Sequence, residues 1–275
     1  MSQLNLKEPQ DKTFVAENYI LHPGLKNAVE VAYALGQPLL LTGEPGTGKT
    51  KLAFKIAAML ADQDERFLPE PLVFNTKTTS SARDLFYTYD AMAHFQTSNI
   101  DKKANSSSAE FIELQALGKA IAQTNPTQVA EGIFNTKLAA KKQSSVVLID
   151  EIDKAPRDFS NDILNEIENY AFEIKEQRNA PLKKGGGQQI LVIMTSNSEK
   201  NLPDAFLRRC VFFHIAFPDK DLLFDIITAQ LGTDKKTFSY TDQALKEIIQ
   251  QFELIRKKSN RKKPATAELV AWIES

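Results

Sequence analysis

The stretch that decides the fold of this chain is Gly43-Glu44-Pro45-Gly46-Thr47-Gly48-Lys49-Thr50. It fits the pattern G-x-x-x-x-G-K-[ST], in which the glycines allow successive backbone N–H groups to turn inward around phosphate oxygens. At its place in this pattern Lys49 is expected to reach the β- and γ-phosphates, and the Thr50 hydroxyl is expected to hold Mg²⁺. The stretch therefore predicts a loop whose eight residues bind a nucleoside triphosphate.

The residues on either side of this loop fit such a role. Residues 38–42 (Pro-Leu-Leu-Leu-Thr) predict a short buried strand, and residues 51–60 predict a helix. The partial positive charge of the helix N-terminus would then lie beneath the bound phosphates. The alternative, a plain glycine-rich turn at the start of a helix, is disfavoured by the complete match to the pattern between a strand and a helix.

The composition is that of an ordinary globular protein, and 275 residues suffice for one large α/β domain and a small second one. The net charge of −1 means that any attraction to nucleic acid or to an anionic membrane has to come from local patches. Cys210 is the single cysteine, which excludes an internal disulfide framework. With no apolar run long enough to span a bilayer and no secretion signal at the N-terminus, we expect a cytoplasmic protein.

A second signal lies about a hundred residues downstream, in the segment 145–156. The apolar run from Val146 to Ile149 predicts a strand buried on both faces, and Asp150 and Glu151 stand at its carboxyl end, where ligands bind in open parallel sheets. Asp150 would orient Mg²⁺ through its water shell, and Glu151 would polarise the attacking water. Strands often simply end in acidic residues, so this motif gains its weight from the phosphate-binding loop upstream.

Two further groups of polar residues are candidates for catalysis. Asn197 ends another predicted strand, where its amide would position the water or contact the γ-phosphate, or merely cap the next turn. Arg208 and Arg209 end a predicted short helix at 202–210. They either complement the helix dipole as solvated charges or face the nucleotide of a neighbouring subunit as an arginine finger.

The order of predicted elements divides the chain into three parts. Five strands are predicted at 38–42, 71–75, 145–149, 190–197 and 211–215, with helices between them, and helices alone at 219–231, 241–257 and 266–273. Pro218 marks the boundary between these two kinds of segment. We therefore expect a flexible N-terminal arm (1–17), an α/β core (18–217) and a small helical C-terminal subdomain (218–275).

Helical spacing of apolar residues also marks two segments of the core. Residues 24–36 predict a helix that ends on Gly36 as its C-cap, and residues 157–171 predict another. Just upstream of the first helix, Tyr19-Ile20-Leu21 either folds back toward a bound base or serves as a plain hydrophobic anchor for the helix.

Several other segments have more than one interpretation. The aromatics of residues 84–90 belong to the core, which we favour, or anchor a partner. Residues 97–108 are polar and predict an exposed loop, whereas residues 111–122 return to helical spacing. Residues 183–187 (Lys-Lys-Gly-Gly-Gly) close a hairpin, project toward a pore or, by default, form a solvated turn. The basic stretch 256–263 is by default a solvated loop, with binding of nucleic acid or of a nucleotide as alternatives.

The succession of these motifs resembles that of the AAA+ ATPases, and it looks most like their MoxR-type branch. The finer match is carried by residues 38–50, Asp150-Glu151-Ile152-Asp153-Lys154-Ala155, Phe206-Leu207-Arg208-Arg209-Cys210 and residues 263–269. The resemblance covers about residues 19–274. It implies a P-loop NTPase fold, with a parallel five-stranded sheet flanked by helices and an all-helical C-terminal lid. It also implies a ring, commonly a hexamer, with ATP and Mg²⁺ at the subunit interfaces.

The resemblance assigns roles to particular positions. Lys49 and Thr50 match the first Walker motif, Asp150 and Glu151 the second, Asn197 the first sensor, and Arg209 the arginine finger, with Arg208 as its substitute. The departure lies in the lid. The family's second sensor is typically an arginine at the start of the last helix, where this chain reads Lys262-Lys263-Pro264-Ala265-Thr266. Arg261 and Lys263 are candidates, and we leave the role unassigned.

Three functions are compatible with these motifs. The first is Mg²⁺-dependent ATP hydrolysis that remodels, chaperones or assembles a partner protein, as MoxR-like proteins are thought to do, often beside a partner with a von Willebrand A domain. The second is an ATPase or motor subunit of a restriction or defence complex acting on nucleic acid, which needs a basic stripe along the pore. The third, a scaffold that binds nucleotide without turnover, is disfavoured by the complete set of candidate catalytic residues. ATP is preferred over GTP on resemblance.

Overall fold

The computed structural model describes residues 14–100, 108–126, 138–177, 181–197, 202–231, 240–259 and 262–274. Within these ranges the helices are α1 (Pro23–Leu35), α2 (Lys49–Gln63), α3 (Ala91–Ile100), α4 (Ala116–Thr124), α5 (Arg157–Asn169), α6 (Asp204–Leu207), α7 (Lys220–Leu231), α8 (Asp242–Lys258) and α9 (Thr266–Glu274). The strands are β1 (Leu39–Gly43), β2 (Leu72–Asn75), β3 (Tyr87–Tyr89), β4 (Ile112–Leu114), β5 (Ser145–Asp150), β6 (Ala171–Phe172), β7 (Leu182–Lys183), β8 (Ile190–Ser196) and β9 (Val211–Ile215).

One sheet of five strands, in the order β2-β5-β8-β1-β9, organises the fold. Every neighbouring pair in this sheet is parallel, so the carboxyl ends of the strands gather at one edge. β1, β5 and β8 end there at Gly43, Asp150 and Ser196. The predicted parallel five-stranded sheet is confirmed, and the phosphate-binding loop after β1 and the acidic residues at the end of β5 lie at its carboxyl edge.

Helices cover both faces of the sheet, because its central strands are apolar on both. Leu39 and Leu41 of β1 pack with α1 and α2 on one face, whereas Leu40 packs with α4 and α5 on the other. A continuous apolar run is what a strand buried on both faces needs. Truncating one such leucine to alanine typically costs about 2–5 kcal/mol of stability. The sheet is therefore a firm base for the loops at its edge.

The start of the chain and α1 are tied to this layer. Residues 1–13 of the predicted arm lie outside the described residues. The ring of Phe14 packs edge-on against Phe54 of α2, with 5.9 Å between the ring centroids. Tyr19 belongs to the hydrophobic cluster of α1 and α2, as in its interpretation as an anchor. α1 ends at its predicted C-cap, Gly36, whose φ is 63°.

The segment between β2 and α4 contains two strands that were not predicted. β3 and β4 pair antiparallel, with Tyr87 opposite Leu114. Phe86 and Tyr87 are buried, so the core interpretation of these aromatics is confirmed. The helix predicted for residues 111–122 is wrong at its start, because α4 begins only at Ala116. The reason is that residues 112–114 alternate buried, exposed, buried, a period of two that suits a strand.

The helix α3, between these two strands, corrects another prediction. Residues 97–100 belong to α3 rather than to an exposed loop, and residues 101–107 of the predicted loop lie outside the described residues. The side chain of Asp90 accepts a hydrogen bond from Ala93 N (2.8 Å), as an N-cap does. The Thr97 hydroxyl donates back to Ala93 O (2.9 Å). Both polar side chains thus bond to the backbone of α3, so this polar segment is compatible with a helix.

A two-stranded antiparallel ribbon, β6 with β7, precedes β8. Residues 185–187, the predicted glycine tip, do not close this ribbon, because they follow β7 and connect it to β8. Gly185 N donates to the Thr124 hydroxyl of α4 (2.7 Å), which fixes the start of this connection. Gly186 and Gly187 are exposed, as a solvated turn requires.

The C-terminal helices α7, α8 and α9 pack around a core of their own. It is formed by Leu223, Ile227, Leu245, Ile249, Phe252, Leu269 and Ile273. The predicted helices are confirmed, but α8 continues through residues 256–258, so the first part of the predicted basic loop is helical. Cations in the last turn of a helix complement its dipole. In the described ranges, no helix combines the length and the apolarity needed to cross a membrane.

Candidate nucleotide site

The predicted phosphate-binding loop, residues 43–50, connects β1 to α2 at the carboxyl edge of the sheet. Gly48 caps α2 in the left-handed conformation, with φ 86°, and a Cβ at this position would lie 3.2 Å from the ring of Tyr19. Glycine avoids both the backbone strain and the contact. The first N–H groups of α2 have no acceptor within their helix, as at any helix start, and such groups bind anions.

Lys49 is buried at this loop, with 7% of its surface exposed. Its Nζ donates to the carbonyl oxygens of Gly43 (2.7 Å) and Glu44 (2.9 Å). Burial lowers the pKa of Lys49, while the negative charge of Asp150 and other acids opposes this shift. A lysine binds the charged oxygens of phosphate more strongly than peptide carbonyls. The ammonium is therefore placed to exchange its carbonyl acceptors for phosphate oxygens.

Asp150, at the end of β5, is fixed by two hydroxyl groups. The Thr50 hydroxyl lies 2.9 Å from its Oδ1 and 3.2 Å from its Oδ2. The Thr195 hydroxyl of β8 donates to Oδ1 at 2.5 Å. The predicted metal ligands Thr50 and Asp150, a hundred residues apart in sequence, are therefore in direct contact.

Thr195 is a site residue that sequence reasoning missed. It lies on β8, between β1 and β5, opposite Leu41 of β1. Its hydroxyl accepts a hydrogen bond from the backbone N of Glu151 (2.9 Å) and donates to Asp150. One buried threonine thus orients both acidic residues. Its signal in the sequence is a polar side chain directly after the apolar run 190–194, two residues before Asn197.

Glu151 has a backbone conformation that is rare for a residue with a side chain. Its φ of 56° lies in the left-handed region, at a typical cost of about 1–3 kcal/mol, and such strain clusters at functional sites. The Asn197 amide Nδ2 lies 3.4 Å from Oε1 of Glu151, and the Lys154 ammonium pairs with Oε2. This pairing raises the pKa of Lys154. The structure brings Glu151 and Asn197 together and adds Lys154 as a partner.

Arg208 and Arg209 lie toward the opposite edge of the sheet. They precede β9, whose first residue, Val211, pairs with Leu39 at the start of β1. Strands of this length are about 16 Å long at ~3.3 Å per residue. Both arginines are exposed, and Arg209 Nε lies 3.1 Å from Oε1 of Glu168 on α5. The structure therefore separates these arginines from the other predicted site residues of the same chain.

The start of α9 lies against the phosphate-binding loop. Lys263 Nζ is 4.0 Å from Oε1 of Glu44, and Ala265 packs on Gly46. Arg261, the other candidate for the second sensor, lies outside the described residues. The role of Lys263 stays a prediction, because its exposed side chain approaches a residue of the loop rather than a defined phosphate position.

The groups at the carboxyl edge suit Mg²⁺ bound to a triphosphate. The Thr50 hydroxyl and the Asp150 carboxylate supply oxygen, the ligand atom that Mg²⁺ prefers. Across the described residues there is no cluster of three or more His, Cys, Asp and Glu that could hold a metal ion. The buried Thr76 hydroxyl beyond β2 has no hydrogen-bond partner among the described residues.

The parallel sheet, the phosphate-binding loop and the two acidic residues at its edge define a P-loop nucleotide-binding protein. Comparison with protein families agrees: residues 38–210 match the family model described as AAA domain (dynein-related subfamily). The match covers more than half of the chain, so the chain belongs to this family. The family is one of nucleotide-binding ATPases, and the protein is an ATPase. No curated protein matches the chain significantly.

Proposed function

We propose that this protein is a Mg²⁺-dependent AAA+ ATPase of MoxR type, which hydrolyses ATP in a ring and thereby remodels, chaperones or assembles a partner protein. The observation that carries the proposal is the cluster at the carboxyl edge, where Lys49, Thr50, Asp150, Glu151 and Asn197 meet. A hexamer is the ring size expected from the resemblance. A protein with a von Willebrand A domain is a candidate partner, and the cytoplasm the expected location.

The chemistry assigns one task to each group. The backbone of residues 43–50 and Lys49 bind the β- and γ-phosphates, and Thr50 and Asp150 hold Mg²⁺, which when bound neutralises phosphate charge. The Asp150 carboxylate is held by the hydroxyl groups of Thr50 and Thr195, whereas the Glu151 side chain, although paired with Asn197 and Lys154, is 39% exposed and open to water. Glu151 is therefore the carboxylate that accepts a proton from the attacking water, and Asn197 orients that water.

One feature of the chain supports assembly into a ring. Arg209, with Arg208 as its substitute, is exposed toward the edge opposite the carboxyl edge, where it is available to the nucleotide of a second copy. An arginine supplied by another subunit is worth about 10³–10⁵ in rate in GTPases. Ring assembly would complete each site with a residue from its neighbour.

We further propose that residues 18–217 form the ATPase core and residues 218–275 a lid, after the N-terminal arm 1–17. α7, α8 and α9 have their own hydrophobic core, yet they contact the phosphate-binding loop through Glu44 and Gly46. A unit that is packed separately and touches the nucleotide site is suited to move with the nucleotide state. Such movement is how hydrolysis would be transmitted to a partner protein.

The rival function, a motor acting on nucleic acid, has less support. The basic stretch at the end of α8 is divided among internal pairs, with Arg256 bound to Glu44 and Lys262 to Glu268 (2.7 Å). Lys257 and Lys258 remain exposed. Continuous binding of a phosphate backbone needs a larger basic surface. This distribution of charge favours a protein partner.

The function is tested with the purified protein and with its Glu151→Gln variant. We expect phosphate release from ATP that stops when EDTA removes Mg²⁺, and a ring whose mass is measured by light scattering. The variant with ATP should retain a partner protein that is released with ADP, and the purified partner should stimulate the ATPase. Stimulation by DNA or RNA instead of by protein would support the rival function.

A further inference from the structure

We propose that Arg256 of α8 is a positioning residue that neutralises Glu44 within the phosphate-binding loop and so couples the C-terminal helices to nucleotide binding. The inference rests on the proposed nucleotide site. It goes beyond that site because Arg256, the first residue of the basic stretch 256–263, is not among the candidate site residues and lies 212 residues from Glu44 in the sequence.

Three contacts fix the guanidinium of Arg256. It pairs with Oε2 of Glu44, and one of its nitrogens donates to the carbonyl oxygen of Pro264 at 2.6 Å. Its central carbon lies 3.5 Å from the ring centroid of Phe217, at the boundary with the core. Only 12% of the side chain is exposed. Stacking on an aromatic ring and a backbone acceptor hold this arginine in place more firmly than an isolated surface ion pair would.

The position of Glu44, the partner of Arg256, indicates a role for the positive charge of this arginine. Glu44 is part of the loop that receives phosphates, and its carbonyl oxygen already accepts from Lys49. An unpaired carboxylate on a loop that receives phosphates would add negative charge to the site and weaken the binding of an anion. Arg256 compensates this negative charge with a cation that is 12% exposed, whereas the ammonium group of Lys263, another cation near Glu44, is 4.0 Å away on a side chain that is 58% exposed. Most of the compensation therefore comes from Arg256.

Close packing extends the coupling along the chain that follows α8. A Cβ on Gly46 would lie 2.5 Å from the Cβ of Ala265, and φ of Gly46 is 79°. Glycine is needed here both for its backbone conformation and for the approach of Ala265. Arg256 binds the residue just before this contact, Pro264. The phosphate-binding loop and the segment 264–266 are thus joined twice, by packing and by charge, and we name this contact the loop–lid seam.

A purely structural role for Arg256 would follow from its stacking on Phe217 alone. The two roles differ in how they depend on Glu44. If Arg256 compensates Glu44, removing both charges together restores a neutral loop, so the two substitutions are not additive. If Arg256 only fills space, Glu44→Gln leaves the loss caused by Arg256→Gln unchanged.

The test is a double-mutant cycle read by titration with Mg²⁺ and mant-ATP, a fluorescent ATP analogue. We expect about tenfold weaker affinity for Arg256→Gln, a change within about threefold for Glu44→Gln, and affinity close to that of Glu44→Gln for the double variant. Lys220→Gln is the matched control, because Lys220 pairs with Glu253 at 3.4 Å within the C-terminal helices. An additive cycle, or unchanged affinity in Arg256→Gln, would overturn the proposal.

Hydrogen exchange gives a second readout that does not depend on bound nucleotide. In Arg256→Gln the amides of residues 265–269 should exchange faster than in the wild type, because the loop–lid seam opens more often. If that variant fails to fold, Glu44→Lys carries the test, since its side chain is 44% exposed and it places a cation opposite Arg256. Unchanged exchange in Glu44→Lys would contradict the coupling.

Nucleotide binding by the wild type and by Lys49→Ala shows whether a negative result refutes the proposed nucleotide site or only the role of Arg256. Wild-type protein that fails to bind the analogue would refute the site itself. Binding that is lost in Lys49→Ala, together with an additive cycle, would refute only the role of Arg256.

Discussion

Candidate catalytic residues lie at both edges of the five-stranded sheet, but they contact one another at the carboxyl edge and are exposed to solvent toward the amino edge. At the carboxyl edge the groups bind one another: Lys49 caps the loop carbonyls, and Asp150 accepts from two threonines. Toward the amino edge, Arg209 is exposed and pairs with the exposed Glu168. This difference is the ground for our proposal that one chain binds the nucleotide and that efficient hydrolysis needs an arginine from a second chain.

The largest expected effect tests the carboxyl edge itself. Lys49→Ala should weaken nucleotide binding by at least about 100-fold, or ~2.7 kcal/mol, because it removes the buried cation that faces the phosphates. Binding is measured by titration with a fluorescent nucleotide. Lys51→Ala, two residues along the same helix, is the control, since that side chain is exposed and lies over Phe14. Full nucleotide affinity in Lys49→Ala would show that the residues at the carboxyl edge do not form the phosphate-binding site.

The next effect separates binding from hydrolysis at the same edge. Glu151→Gln should keep nucleotide affinity and lose about 10³-fold in hydrolysis rate, because the amide does not accept the proton of the attacking water. Rates are measured as phosphate release at saturating ATP. Glu113→Gln, on β4 and paired with Lys119, serves as the control. Normal turnover in Glu151→Gln would remove this residue from its assigned role.

The third prediction concerns the other edge. Arg209→Ala should reduce hydrolysis about 100-fold and leave affinity within about twofold, because the arginine acts on the charge that develops in the transition state. Mixing Arg209→Ala with Glu151→Gln should alter activity as the two variants assemble together. Glu168→Gln, which releases Arg209 from its ion pair, should retain activity. If mixed samples show only the sum of their separate activities, the second chain has no part in the site.

The smallest expected effect tests whether Thr195 orients the two acidic residues at the carboxyl edge. Thr195→Val keeps the shape of the side chain and removes the hydroxyl that orients Asp150 and Glu151. We expect about tenfold slower hydrolysis, or ~1.4 kcal/mol, in line with the loss of a buried hydrogen bond to a charged group. Thr228→Val in α7, an exposed position, is the control. Unchanged steady-state rates would mean that Thr195 is not needed for orientation.

Residues that act through their neighbours were harder to predict than residues within motifs. Lys49 and Asp150 lie in patterns whose spacing follows from phosphate and metal chemistry, so local sequence was sufficient. Thr195 gains its role only because β8 lies between β1 and β5. The antiparallel pair of β3 and β4 was also missed, because strands of three residues leave almost no periodic signal.

The sequence by itself determined the phosphate-binding loop, the five strands of the sheet and the helices that cover it, since each depends on local backbone chemistry or on apolar runs. Only the tertiary structure decided which distant side chains meet. Strand order joined Thr50 to Asp150, and the packing of α8 joined Arg256 to Glu44 across 212 residues. Such contacts are set by how layers and helices pack around a shared core, and no short stretch of sequence records that packing.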